Sequence, residues 1–217
     1  NIINVIRYYK NRGRELTDIE KMLLRLEERI DDCNEISGLM GIEGNIRDIY
    51  YKGFDKIIMN DDFVFSERTR RPPKNHLNAM ISFGNSLLYV LILSEIYKTH
   101  LDPRIGYLHT TNFRRFTLNL DIAEIFKPII VDRIIFTLIG RKMITIDDFD
   151  KDMGGILLKE NGMKRFVEEF DAKLKTTIQH RDLGRNVSYN RLIRMELYKL
   201  EKHLMDESEY VPFVSRW

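Results

Sequence analysis

The run from Leu77 to Tyr97 limits this chain more than any other segment. It is apolar over nearly its whole length, its apolar residues recur at helical spacing, and Ser94 and Glu95 interrupt it. A membrane span needs roughly 18 uninterrupted apolar residues, and no segment reaches that length. The stretch is therefore expected to be a helix buried among other helices. Gly84 inside it costs about 1 kcal/mol relative to alanine, so close packing of a neighbouring helix is expected there.

The rest of the pattern predicts the same architecture. Thr17 opens an amphipathic run in which Ile19, Met22, Leu23, Leu26 and Ile30 share one face. Between Gly41 and Met59, Ile46, Ile49, Tyr50, Phe54, Ile57 and Ile58 predict a second helix beginning just beyond Gly44, with Glu43 at its start and Tyr50 in the core. Leu118 to Leu138 predicts a helix that Pro128 kinks, because proline deprives the Glu124 carbonyl of its donor. Thr145 resembles a helix start, Met163 to Ile178 is amphipathic, and Ser188 suits the cap of a last helix reaching about Met205. Strand alternation is nearly absent, so the expected fold class is all-α, and no internal repeat is visible.

With 217 residues, 43% apolar and 31% charged, the chain can build one substantial core. The single cysteine, Cys33, cannot form an internal bridge, which makes a cytoplasmic location the simplest expectation. A net charge of +2 creates no field strong enough to attract a polyanion, so nucleic-acid binding must come from local patches. The best of these is the loop Asn60 to Lys74, where Arg68, Arg70, Arg71 and Lys74 stand beside Pro72 and Pro73. Arg114 and Arg115 form a second patch, and Arg181, Arg185, Arg191 and Arg194 a third. Residues 1–14, with Arg7, Lys10, Arg12 and Arg14, read as a linker or the lead-in to a helix. The chain begins at Asn1 rather than methionine, and is expected to be a piece of something longer.

Several apparent motifs fail. His180-Arg181-Asp182-Leu183 imitates a kinase catalytic loop, but Val187 stands where asparagine is needed and no glycine-rich loop precedes it. Asp148, Asp150 and Asp152 imitate a calcium loop, yet Met153 and Lys159 occupy positions that need glycine and glutamate. The sequon at Asn186 means little without a secretory signal.

What remains is Glu43, His109, and Asp121 with Glu124. An i, i+3 spacing puts the last two carboxylates on one helix face, where they repel unless a cation lies between them. A divalent metal is one answer, and carboxylates with an imidazole suit manganese or magnesium better than zinc. Each residue alone also has a plain structural reading, as a helix-dipole partner, a polar filler or a solvated acid.

Four blocks carry a resemblance. They are Gly41-Ile-Glu43-Gly-Asn-Ile-Arg-Asp-Ile-Tyr50, Arg70-Arg-Pro-Pro-Lys-Asn-His-Leu-Asn78 running on through Gly84 to Leu88, Gly106-Tyr-Leu-His109, and Leu120-Asp-Ile-Ala-Glu124-Ile-Phe-Lys-Pro128. In this order they resemble the catalytic domain of the CRISPR-associated integrase family Cas-one, over roughly residues 15 to 205. The resemblance implies a helical catalytic domain at 15–205, a C-terminal tail at 206–217, and an N-terminal β-domain, mediating dimer formation, that this chain lacks. It implies that Glu43, His109 and Glu124 bind Mg2+ or Mn2+, with Asp121 an auxiliary ligand or an orienting acid. It further implies insertion of short DNA into a CRISPR array by attack of a 3′ hydroxyl on a phosphodiester, double-stranded and branched DNA as substrates, a homodimer, and Cas-two as assembly partner. Asn75 and His76 depart from the Asp-Pro often seen in the family, and Asn85 stands where an aromatic is common. The rival expectation is a non-catalytic helical DNA-binding or assembly module.

Overall fold

A computed structural model describes residues 1–109, 116–152, 154–180 and 183–215. These form two compact units, one of residues 1–83, 135–165 and 215, the other of residues 84–134 and 166–214.

In the first unit, α1 (Ile2–Lys10) occupies the segment read as a linker or helix lead-in. Its Val5 and Ile6 are fully buried. The α2 helix (Thr17–Glu27) presents Glu20 to it, and the Glu20 carboxylate accepts from Arg7 Nε at 2.6 Å and from Lys10 Nζ. Those two hydrogen bonds, Arg7 first, hold the carboxyl of Glu20 below its usual value. The α3 helix runs Ile36–Lys52, starting well before the expected start just beyond Gly44. Gly38, Gly41 and Gly44 all lie within it, since about 1 kcal/mol per glycine is outweighed when Ile42, Tyr50 and Tyr51 are buried. Glu43 is consequently in the middle of a helix, not at its start. After the short α4 (Phe54–Ile58), Tyr9, Tyr50, Tyr51 and Phe54 gather with Phe136 into one aromatic cluster, with Phe54 and Phe136 centroids 4.7 Å apart.

The longest helix, α5 (His76–Ile96), is the one described helix with the length and hydropathy of a membrane span. It is a core helix: Leu77, Met80, Ile81, Leu88, Ile92 and Ile96 have no exposed surface. Near its end Glu95, 2% exposed, accepts from Arg194 Nε and Lys98 Nζ, each at 2.6 Å. Burial alone pushes Glu95 up, and the two cations overcome it and leave the carboxyl below its usual value. In the second unit, a Cβ on Gly84 would lie 2.6 Å from Val131 Cγ1 and 2.7 Å from Phe166 Cζ, so the glycine does mark close packing.

Pro128 breaks its helix rather than kinking it: α6 (Leu118–Phe126) ends just before the proline and α7 (Val131–Gly140) begins after it. Ile130 N donates to Phe126 O at 2.9 Å and Asp132 N to Lys127 O at 3.0 Å, which closes the intervening turn.

The all-α expectation is corrected in detail. The chain is mostly helical, but β1 (Phe149–Asp152) pairs antiparallel with β2 (Gly155–Leu158), and β3 (Thr177–His180) with β4 (Arg185–Ser188). Strands of four residues are too short for alternation to register in a sequence. The amphipathic run expected to reach Ile178 ends as α8 (Glu160–Lys175), and Ile178 belongs to β3. Ser188 caps α9 (Tyr189–Leu204), its Oγ accepting from Arg191 N at 3.3 Å. Beyond α9 the tail is pinned by Glu196, 1% exposed, which accepts from Tyr210 Oη at 2.6 Å and Phe213 N at 3.0 Å. Phe213 then stacks on Phe126 of α6 at 6.3 Å.

Candidate functional site

The loop before α6 is built onto that helix. Thr117 N and Leu118 N donate to Pro103 O at 3.0 and 3.1 Å, and Thr117 Oγ1 donates to Arg104 O at 2.9 Å. Asp121, one turn into α6, reaches back to the loop. Its Oδ2 accepts from Tyr107 N at 2.5 Å and Leu108 N at 3.2 Å, and its Oδ1 accepts from His109 N at 3.0 Å. The same Oδ1 lies 2.6 Å from His109 Nδ1. An imidazole whose Nδ1–H donates to a carboxylate keeps its Nε2 lone pair for a ligand, the usual arrangement behind a metal-binding histidine. Asp121 therefore orients both the loop and the ring.

Gly106 makes this approach possible. A Cβ there would lie 2.7 Å from Asp121 Oδ2, 2.8 Å from Thr117 Oγ1 and 3.0 Å from His109 O. Burial, and behind it the negative charge of Asp121, push the Tyr107 hydroxyl above its usual value.

Glu124, a turn further along α6, has a different environment. Its carboxylate is ion-paired with Lys127, whose ammonium also lies 4.9 Å from the centroid of the Tyr89 ring. Lys127 is only 7% exposed. Glu43, in the first unit, accepts from Arg47 Nε at 3.2 Å on the same face of α3. Thus His109 and Asp121 are in contact, while Glu124 and Glu43 each carry a basic side chain of their own helix or the turn that follows it. Among the described residues no group of three or more His, Cys, Asp and Glu side chains stands ready to hold a metal. Sequence reasoning overlooked Lys127, Arg47 and the need for Gly106. The i, i+3 and i, i+4 acid–base spacings were the available signal for the first two.

The basic loop is also constructed rather than slack. Lys74 N donates to Thr69 Oγ1 at 2.9 Å, and Ile156 N of β2 donates to Pro73 O at 2.8 Å. Gly155 lets the hairpin approach, since a Cβ there would come 2.5 Å from Pro72 Cβ. Asn75 replaces the family aspartate without loss of the helix cap, its Oδ1 accepting from Asn78 N at 2.7 Å. Arg70, Arg71 and Lys74 are exposed with no ion-pair partner among the described residues. Arg68, expected in the same clamp, is half-buried and bound internally: its guanidinium donates to Asn78 Oδ1 at 2.9 Å, Ser82 Oγ at 3.0 Å and the Thr69 carbonyl. Asn78 is fully buried, and its carbonyl oxygen needs that donor. Arg114 and Arg115 lie outside the described residues.

The fold and site thus define a helical domain in which a carboxylate-held histidine stands beside an acidic helix turn. The chain belongs to the Cas1 family: the family model described as CRISPR associated protein Cas1 matches residues 1–172. It is 57% identical over all 217 residues to CRISPR-associated endonuclease Cas1 2 of Thermodesulfovibrio yellowstonii, and spans 66% of that relative's length. Among solved structures it is similar to TM1797, a Cas1 protein from Thermotoga maritima, with 47% identity and a TM-score of 0.86, covering 95% of this chain and 63% of that one. A casposase bound to integration product shares the fold, with 24% identity and a TM-score of 0.83 over 96% of this chain and 58% of that one.

Proposed function

We propose that this chain is the catalytic portion of a divalent-metal-dependent DNA endonuclease and integrase that inserts short DNA fragments into a CRISPR array. The observation that carries the reading is the His109–Asp121 contact, which leaves an oriented imidazole nitrogen for an ion. Glu43, His109 and Glu124 are the residues to hold Mg2+ or Mn2+, and their mixed carboxylate and imidazole donors fit such a cation. The ion, when bound, supplies polarisation of a phosphoryl oxygen and activation of the hydroxyl in direct strand exchange. Asp121 keeps the ring in the ligating tautomer, and Arg70, Arg71 and Lys74 hold phosphates from a stiff loop. Arg114 and Arg115 are assigned the same phosphate-holding role. Direct attack by a 3′ hydroxyl needs no serine, tyrosine or cysteine nucleophile.

Family membership and the likeness to a casposase on integrated DNA support the strand-transfer chemistry. The reading further takes double-stranded and branched DNA as substrates and a homodimer joined to Cas2 as the working assembly, which the resemblance to the family implies. The rival reading, a non-catalytic helical module, draws on the basic side chains already paired with Glu43 and Glu124. Calorimetric titration with manganese separates the two. His109→Ala and Glu43→Ala are expected to abolish binding, and joining of branched DNA is expected to need the ion. Unaltered manganese binding in both variants removes the site assignment. DNA binding without strand chemistry in the full-length protein with its partner establishes the module instead.

A further inference from the structure

The ammonium of Lys127 is nearly as buried as the core around it, and a buried cation needs an anion close by. Among the described residues its ion-pair partner is Glu124, and its remaining neighbour of opposite electrostatic character is the face of Tyr89. Pro128 follows directly, and the turn is closed by the Asp132 N to Lys127 O hydrogen bond of 3.0 Å, so the backbone carrying this side chain is held in place. The carboxylate that neutralises Lys127 is the one assigned to the divalent ion.

We propose that Lys127 is a resident counter-cation, which yields Glu124 to the divalent ion and then takes a phosphate oxygen of the DNA. This inference rests on the assignment of Glu124 as a metal ligand. Two consequences follow from charge alone. Without DNA, an ion arriving at Glu124 must displace an ammonium that has no second anion among the described residues, so Lys127 weakens ion binding. With DNA present, the phosphate receives the displaced ammonium, and ion and DNA strengthen one another's binding by the same factor, as linkage requires. The ring of Tyr89 gives the ammonium a partial partner during the exchange, since a cation above an aromatic face keeps part of its stabilisation.

Manganese affinity, measured by calorimetry on the chain with and without a short DNA duplex, tests this directly. In the wild type the duplex is expected to tighten manganese binding about tenfold, and manganese to tighten duplex binding equally. Lys127→Met, which keeps the apolar stem and removes the charge, is expected to bind manganese about tenfold more tightly without DNA, with little further gain when DNA is added. Lys127→Arg is expected to retain the coupling. If the wild type binds manganese equally with and without DNA, or if Lys127→Met leaves the ion affinity unchanged, the role of Lys127 is overturned while the metal site stands. If the wild type binds no manganese in either condition, the metal assignment itself fails, and this inference with it. The wild-type comparison needs no variant to fold.

Discussion

Asp121 and Glu124 lie one turn apart on the same helix, yet their surroundings make them opposite kinds of acid. Asp121 accepts from three backbone N–H groups and from the His109 ring, and both its oxygens are committed to shaping the loop. Glu124 is paired with the ammonium of Lys127, from the turn that ends the helix. A carboxylate bound by main-chain donors is a structural part, because no donor can leave without unfolding the loop. One bound by an ammonium is exchangeable, because another cation does the same work. Spacing identified the pair as acids on one face, and their partners give the physical difference between the orienting acid and the candidate ligand.

The largest effect is expected from Asp121→Asn, whose amide would place a donor against donors. Chemical denaturation should show a loss of about 2–4 kcal/mol, and manganese affinity should drop roughly 10–100-fold because the imidazole loses its orientation. Replacing Glu124 by Gln and Lys127 by Met together removes the buried pair as a unit and strands no charge, so its stability cost is expected at about 1 kcal/mol while ion binding is lost. Equal destabilisation of the two variants breaks the contrast. Gly106→Ala tests the loop from the other side: forcing a methyl against Asp121 Oδ2 should cost about 1–3 kcal/mol and weaken ion binding without altering any charged group. A variant as stable as the wild type shows that the loop yields, and that Asp121 holds it less firmly than its hydrogen bonds imply. Smallest is the effect of neutralising Arg70 and Arg71 together, which touches neither acid. Stability should change by less than about 0.5 kcal/mol, all DNA sequences should weaken alike, and the salt slope of binding should flatten by roughly two. An unchanged slope moves the phosphate clamp elsewhere.

Much of the helical frame was legible because its signals are local. Gly84 in an apolar helix announced close packing, Ser188 announced a cap, and the apolar spacing of Leu77 to Tyr97 announced a core helix. The misreadings have equally physical causes. The apolar spacing placed the start of α3 just beyond Gly44, but the weak intrinsic penalty of Gly38, Gly41 and Gly44 yields to burial of residues further along the helix. Both hairpins escaped notice because four-residue strands carry too few alternations. Arg68 looked like its basic neighbours, and what sets it apart is a buried amide ten residues away that needs a donor.

From its residues alone this chain specifies where most helices run, that Asp121 and Glu124 share one helix face, and which loop is basic. Those properties follow from periodicity and from side-chain chemistry, both of which are written in the order of residues. The tertiary structure decided that Asp121 holds a loop while Glu124 faces an ammonium, that Arg68 turns inward while Arg70 and Arg71 stay exposed, and that Pro128 ends a helix. A carboxylate has the same formal charge wherever it occurs. Its role is set by the donors that the folded backbone brings within hydrogen-bond reach, and several of those lie more than ten residues away along the chain.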